Sequence, residues 1–481
     1  MTEQVNAIHA AFKGNNSLTV EAGAGCGKTT LIVTGNQYLP YSTLFLSFNK
    51  DIADELKKRM PMRMCGTFHA TALRNLTSRI GKLPIDAYKY SRLASKQYGL
   101  DRDDANCVSQ IISDFQMNVE PIFFDPKEWT PEYCISLMSQ HFQFELDIAD
   151  QDTFYTRVDQ AMELLCQEIN KPTALSFDDM LFFLAFYQKK KRWNLCDYDC
   201  VVVDEAQDVS PIRMHLISLF SKRLIQVGDR RQAIYAFAGA MTNAMDQMSE
   251  RFNCVEYPLS VTWRCATSII EEASTIVGDF LQARPDAPTG QVGYMREVEL
   301  LNSTLDNSTM VVCRMNAPRI SLALKLLKRR VPFNLRSDFP ERLIKKVKRL
   351  ASNLHGLASL RTALREHYDE KIEGAGDNAQ LIHRITDERD TLIEISNDCD
   401  SIDDLLMTLE DLAKSKYGVV LSTGHKAKGL EAENVMILRP DLTPAPWIDP
   451  VEKPEQYQQE LNLKYVMITR AKTNLFYVEK D

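Results

Sequence analysis

No internal repeat and no low-complexity tract interrupts the 481 residues, which excludes solenoid and fibrous architectures. No run of about 18 uninterrupted apolar residues occurs, so a membrane span is not expected. Met1-Thr2-Glu3-Gln4 lacks the basic and then apolar pattern of a secretory signal. Eleven cysteines are scattered without a Cys-x-x-Cys, Cys196 and Cys200 being the nearest pair. Neither a zinc site nor a disulfide framework follows from that spacing, and free thiols fit a cytoplasmic chain. Positive charge is not in excess either: 57 Lys and Arg against 65 Asp and Glu leave a net charge of −8. That balance gives no general attraction to nucleic acid, but a single strand can still be held by a local groove and stacked bases.

What remains is the composition of an ordinary globular protein, 44% hydrophobic and 25% charged. At roughly 150 residues per domain, about three folding units are expected. Short β-branched runs followed by Gly-rich turns and amphipathic segments mark α/β units with parallel strands. They fall at residues 18–21, 44–48, 201–204 and 224–228, and again at 310–313, 419–422, 435–438 and 475–478. Between them lie helical stretches with few strand signals. The expected fold is therefore α/β: two cores with parallel sheets, each interrupted by a mostly helical insert. The first core takes residues 1–83 and 172–258 around an insert at 84–171. The second takes 259–348 and 415–481 around a small insert at 349–414.

Val20-Glu21 runs into Ala22-Gly23-Ala24-Gly25-Cys26-Gly27-Lys28-Thr29-Thr30 and then Leu31-Ile32-Val33. Strand, glycine-rich loop and helix start are the context a phosphate-binding loop requires. Its N–H groups can converge on phosphate oxygens, Lys28 can reach the β- and γ-phosphates, and the Thr29 hydroxyl can ligate Mg²⁺. Ala22 stands where the generic pattern has glycine. In Val201-Val202-Val203-Asp204-Glu205-Ala206-Gln207-Asp208 an apolar strand delivers two acids to the sheet edge where ligands bind. Asp204 is expected to hold Mg²⁺, and Glu205 to orient and deprotonate the attacking water. Gln232, after a second strand-then-polar segment at 224–231, is placed to touch the γ-phosphate. A metabolic kinase would share the loop but leave the later motifs unexplained.

Those motifs, in order, make the chain resemble the UvrD-like branch of the superfamily 1 DNA helicases. Gln4 resembles the family's adenine-reading glutamine. Ser47-Phe48-Asn49-Lys50 and Gly66-Thr67-Phe68-His69 are similar to its two early strand-contacting motifs, and Phe177-Asp178-Asp179-Met180-Leu181 to its segment before the acids. Residues 228–240 resemble the sensor motif, in which Tyr235 and Phe237 correspond to strand contacts and Phe237 to the base-stacking aromatic. Leu259 to Cys265 resembles the motif opening the second core: Trp263 would stack on adenine and Arg264 would meet the γ-phosphate. Residues 420–431, with His425, Gly429 and Glu431, resemble a late motif whose glutamate meets the ribose hydroxyl. Tyr465 to Ala471 resembles the motif whose arginine, here Arg470, is a finger. Ala238, Ala432 and Asn462 depart from the residues usual in the family.

The resemblance implies two RecA-like P-loop NTPase cores, with ATP and Mg²⁺ bound between them. Hydrolysis would drive 3′→5′ travel on single-stranded DNA and unwinding at single-strand/duplex junctions. Phe68 and Phe237 are the expected base platforms, with Asn49, Thr67 and His425 as polar or backbone contacts and Phe48 and His69 beside them. Partners would be proteins of repair, replication or defence complexes, with no membrane; the place would be the nucleoid, or a host cytosol for a phage protein. The alternative is a DNA-stimulated ATPase module that unwinds little alone. An RNA helicase is disfavoured by the resemblance.

Overall fold

A computed structural model describes residues 2–119, 124–138, 151–195, 197–234, 243–337, 339–352, 354, 356–375 and 379–481. The chain divides into two compact units. The first comprises residues up to Gly23 and Gly27–Ser260, and the second Ala24–Cys26 and Val261–Asp481. The division falls two residues beyond the expected 258.

The first unit is built on a six-stranded sheet: β1 (Leu18–Ala22), β2 (Thr43–Ser47), β3 (Met64–Thr67), β4 (Cys200–Asp204), β5 (Leu224–Gly228) and β6 (Val255–Leu259). Their order across the sheet is β3-β2-β4-β5-β1-β6, and every pairing is parallel. All residues of β1, β2, β4 and β5 are buried, as expected for central strands of a parallel sheet covered on both faces. The edge strands β3 and β6 are partly exposed.

Between β3 and β4 the chain adds the helices Lys89–Tyr98, Arg102–Asn118, Pro131–Leu137 and Gln151–Asn170. The neck of this insert is closed by a parallel bridge between Ile85 and Leu175. A buried ionic knot sits just beyond it. Lys89, wholly buried, bonds Asp179 at 2.5 Å and Glu168 at 3.1 Å. Asp179 also accepts from Tyr90 Oη, Gln116 Nε2 and its own cap, Ser176 N. A buried charge survives only when paired and hydrogen-bonded in this way, so the knot fixes insert to core.

The second unit opens with a two-stranded parallel pair, β7 (Val261–Thr262) and β8 (Gln282–Ala283). Its main sheet contains β9 (Gln291–Arg296), β10 (Thr309–Cys313), β11 (Phe333–Leu335), β12 (Val419–Thr423), β13 (Ala432–Leu438) and β14 (Ala471–Glu479). The order is β11-β12-β10-β13-β14-β9, again with parallel pairing throughout. The helices between β11 and β12 run from Phe339–Ala351 to Ile402–Lys414. The helical insert thus starts about ten residues earlier than the expected 349, because Phe339, Leu343 and Val347 are buried on one helical face. Its Asp387 accepts from the backbone N–H of Asn316 and Ala317 at 2.9 and 2.8 Å. A carboxylate from the insert thereby caps the helix Asn316–Lys328, which has no side-chain cap of its own. Among the described residues no helix is long and apolar enough to cross a membrane.

Candidate functional site

Register fixes what lies along the C-terminal edge of the first sheet. Ser47 of β2 pairs with Thr67 of β3, Leu46 with Val203 of β4, Asp204 with Val227 of β5, and Glu21 of β1 with Gly228. The edge therefore presents, strand by strand about 4.8 Å apart, Thr67, Phe48, Asp204 with Glu205, Asp229, and the glycine-rich loop after Ala22. Gln4 completes the row from the helix Glu3–Phe12. Its amide donates to Ser260 Oγ at 2.9 Å and accepts from Ser260 N at 3.1 Å, just past β6.

The loop turns into the helix Lys28–Gly35 through Gly27, whose φ of 84° is left-handed; a side chain there would be strained. Lys28 Nζ bonds Glu205 Oε2 at 2.8 Å, and Thr29 Oγ1 donates to Asp204 Oδ2 at 3.4 Å. Burial alone would lower the Lys28 pKa, but Glu205, Asp229 and Asp204 outweigh it and raise it. A cation ringed by three acids is poised to exchange some of them for phosphate oxygens.

Glu205 has φ 53°, a left-handed conformation for a non-glycine residue. Such strain costs about 1–3 kcal/mol and gathers at functional sites. It directs the carboxylate to Lys28 and to Gln207, whose Nε2 donates to Oε2 at 2.6 Å. Gln207 Oε1 in turn accepts from Asp229 N at 3.0 Å. This glutamine lies within the acidic motif, two residues past Glu205. It ties the acid on β4 to the end of β5, and it explains Gly228, where a Cβ would lie 2.6 Å from Gln207 Oε1. Beyond it, Gln232 donates to Asp229 Oδ2 at 2.7 Å, both side chains buried. Sequence spacing alone gave no sign of the Gln207 bridge.

The donor set suits Mg²⁺. Mg²⁺ commonly takes one or two protein oxygens and completes its shell with phosphate and water. Thr29 Oγ1 and Asp204 Oδ2 are hard oxygen donors lying side by side.

Burial, and then the charge of Glu205, push the Asp204 carboxyl up to about 7 from its ordinary 3.8. A carboxyl raised in the fold binds its proton more tightly folded than unfolded. Its stabilising contribution is full below about pH 4 and is lost as pH rises through about 7. Asp204→Asn is therefore expected to raise the melting temperature at pH 8, in metal- and nucleotide-free buffer, by about a few degrees. The gain should vanish at pH 4; an equal gain at both pH values would show that burial of the charge is not the cause.

On the β2–β3 side of the edge three helices begin together. Asn49 caps the helix Lys50–Arg59, Thr67 caps Phe68–Ile80, and Ser176 caps Phe177–Lys191. Helix N-termini favour phosphate. Phe48 is 38% exposed there, and the half-buried His69 meets the exposed Phe177 edge-on at 6.3 Å. Burial, and then Arg213, push the His69 pKa down to about 4, so the ring is neutral at pH 7. Phe68 is a correction: it is 2% exposed and packs in the core with Ala72 and Leu76 on its own helix, so no ring face is free for a base. Tyr235 and Phe237 lie outside the described residues.

In the second unit, Arg264 Nε bonds Glu431 Oε2 at 2.8 Å, and Lys472 Nζ bonds Glu431 Oε1 at 2.9 Å. These cations hold the Glu431 pKa below its ordinary value although partial burial works the other way. Arg470 Nε donates to Val466 O and Nη1 to Leu430 O, placing it beside the same cluster. Trp263 is 55% exposed, with the Arg284 guanidinium carbon 5.9 Å from its ring centre. His425 is half-buried in the turn between β12 and β13, which also holds Gly429.

The pattern of the UvrD/REP helicase N-terminal domain matches residues 1–253, more than half of the chain, and that of the UvrD-like helicase C-terminal domain matches residues 341–479. The chain belongs to the UvrD/REP helicase family. F-box DNA helicase protein 1 of Schizosaccharomyces pombe is 22% identical over 98% of this chain and 57% of its own length. DNA helicase IV of Escherichia coli is 27% identical over 57% of this chain and 46% of its own. ATP-dependent DNA helicase PcrA of Staphylococcus aureus is 24% identical over 59% and 40%. This UvrD/REP chain thus spans about half the length of the curated relatives it matches, with the phosphate loop, both acids and the capped-helix edge all inside the N-terminal match.

Proposed function

We propose that this chain is an ATP-driven motor that moves 3′→5′ along single-stranded DNA and separates duplex at junctions. The observation that carries the reading is the single sheet edge on which Asp204 and Glu205, bonded to Thr29 and Lys28, stand one strand away from exposed Phe48 and the capped helix end at Asn49, and two strands from the one at Thr67. Chemistry on phosphate and a grip on a polyanion are thereby neighbours. In this reading residues 22–30 cradle the phosphates, Gln4 and Trp263 take the base, and Glu431 with Gly429 takes the ribose side. Arg264 and Arg470 supply positive charge where the transition state gathers negative charge, an effect worth about 10³–10⁵ in rate for an arginine finger. Bound Mg²⁺ would neutralise the phosphate oxygens during transfer. Gln232, held by Asp229, is the group that registers the γ-phosphate.

Phe48, Asn49, Thr67, His69 and His425, with Tyr235 and Phe237, form the proposed strand contacts; base stacking contributes about 1–3 kcal/mol per base regardless of sequence. The test is strand displacement by the chain alone on matched 3′-tailed and 5′-tailed duplexes, with ATP turnover followed in parallel. Unwinding of the 3′-tailed substrate alone supports the reading. DNA-stimulated turnover without displacement of either duplex replaces it with an ATPase module that needs a partner to unwind.

A further inference from the structure

Arg213 belongs to none of the motifs that mark the nucleotide or the strand, yet its position joins them. It lies on the helix Pro211–Phe220, with its guanidinium carbon 4.7 Å from the ring centre of Phe48 and 5.9 Å from that of Phe68. Phe48 is partly exposed and Phe68 is buried, so the cation lies against one exposed and one interior ring. Its Nε is buried with no hydrogen-bond partner. Asp178 and Asp208 both act on its charge, and burial nevertheless dominates. An arginine left short of a hydrogen bond in a half-buried place is an expense the fold would shed if packing were its whole role.

The chain leading into that helix is the hydrolytic segment itself. Arg213 follows Glu205 by eight residues. The stretch between is stiff: Asp208 N bonds Glu205 O at 3.1 Å through the turn Ala206–Asp208, Val209 N bonds Ala206 O, and Met214 N bonds Ser210 O as the helix starts. Strained Glu205 at one end and the Phe48 ring at the other therefore share one short lever.

We infer that Arg213 is a positioning residue that transmits occupancy of the Phe48 edge by a single strand to Glu205, so that strand binding sets the rate of ATP hydrolysis. The inference rests on the proposed function and deepens it. A base laid on the outer face of Phe48 would shift the ring against the cation beneath it. The movement would pass along helix Pro211–Phe220 and its lead-in to the Glu205 carboxylate, which Lys28 and Gln207 hold in place.

The experiment compares ATP turnover with and without saturating oligo-dT for the full chain and for Arg213→Gln, Arg213→Met and Arg213→Lys. The ratio of stimulated to unstimulated turnover is expected to fall about tenfold in the Gln and Met variants, the range expected for a residue on a coupling route. The half-saturating oligo-dT concentration should move by less than about threefold, since the cation does not itself bind the strand. Arg213→Lys should recover part of the ratio. Should Arg213→Gln melt early, Arg213→Met, which preserves the packed stem, carries the measurement. An unchanged ratio overturns the link, as does a lysine variant no better than methionine, which would make the role one of packing. A parent chain whose turnover ignores oligo-dT sinks the proposed function and the link together, whereas a stimulated parent with unaltered variants sinks the link alone.

Discussion

Lys28→Ala is expected to reduce ATP turnover by about a thousandfold or more, since a single preorganised charge donor at a reacting centre is worth about 10²–10³ and Lys28 also contributes to binding. Its ammonium is the cation at the centre of three acids, Glu205, Asp229 and Asp204. Removing it leaves those carboxylates facing one another without compensation, and repelling the triphosphate that should enter. Both KM and kcat should therefore suffer, in contrast to a group acting in the transition state alone. The same imbalance predicts a secondary effect without ligand: the variant should lose stability above neutral pH, where Asp204, raised by burial to about 7, carries its charge, and less in mild acid. Steady-state turnover with and without oligo-dT, together with melting curves at pH 5 and pH 8, checks both. Turnover within tenfold of the parent would mean that the loop does not hold the reacting phosphates.

Why parts of this architecture were legible in the sequence, and others not, follows from burial. Strands β1, β2, β4 and β5 are buried from end to end and carry mostly aliphatic and aromatic residues, with single polar positions such as Thr19 and Gln226, and such runs announce themselves. The edge strands β3 and β6 carry exposed positions, β9 alternates weakly, and β11 has three residues, so each lacks the run that marks a strand. Phe68 shows the opposite error. Its place in a motif marks it as a base platform, while the stripe Phe68, Ala72, Leu76 spells one buried helical face. The same spacing at Phe339, Leu343 and Val347 marks a buried helical face ahead of the expected 349, although the charges of Lys345, Lys346, Lys348 and Arg349 are interleaved with it. The loop and the acids stand out in the sequence because phosphate chemistry demands such residue types, and the fold brings Lys28 to Glu205 and Thr29 to Asp204. Gln207 and Arg213 do not stand out, since a glutamine bridging two strands and an arginine lying on a ring are facts of three-dimensional distance that no local pattern encodes.

Glu205→Gln should separate the base from the clamp. The substitution keeps length and shape, and the left-handed backbone at 205 is no harder for glutamine than for glutamate. It removes the negative charge that Lys28 Nζ meets at 2.8 Å and that Gln207 Nε2 approaches at 2.6 Å. Water then has no carboxylate to take its proton, and turnover is expected to drop by about 10²–10⁴, the usual share of a general base. Lys28, relieved of its nearest acid, becomes more available to phosphate, so nucleotide affinity should hold or rise. The paired outcome, lost turnover with retained binding of a fluorescent ATP analogue, distinguishes this variant from Lys28→Ala, in which both fail. Loss of binding in Glu205→Gln would instead show that the carboxylate organises the loop, and the proton would have to leave by another route, with Asp204 the nearest acid able to take it.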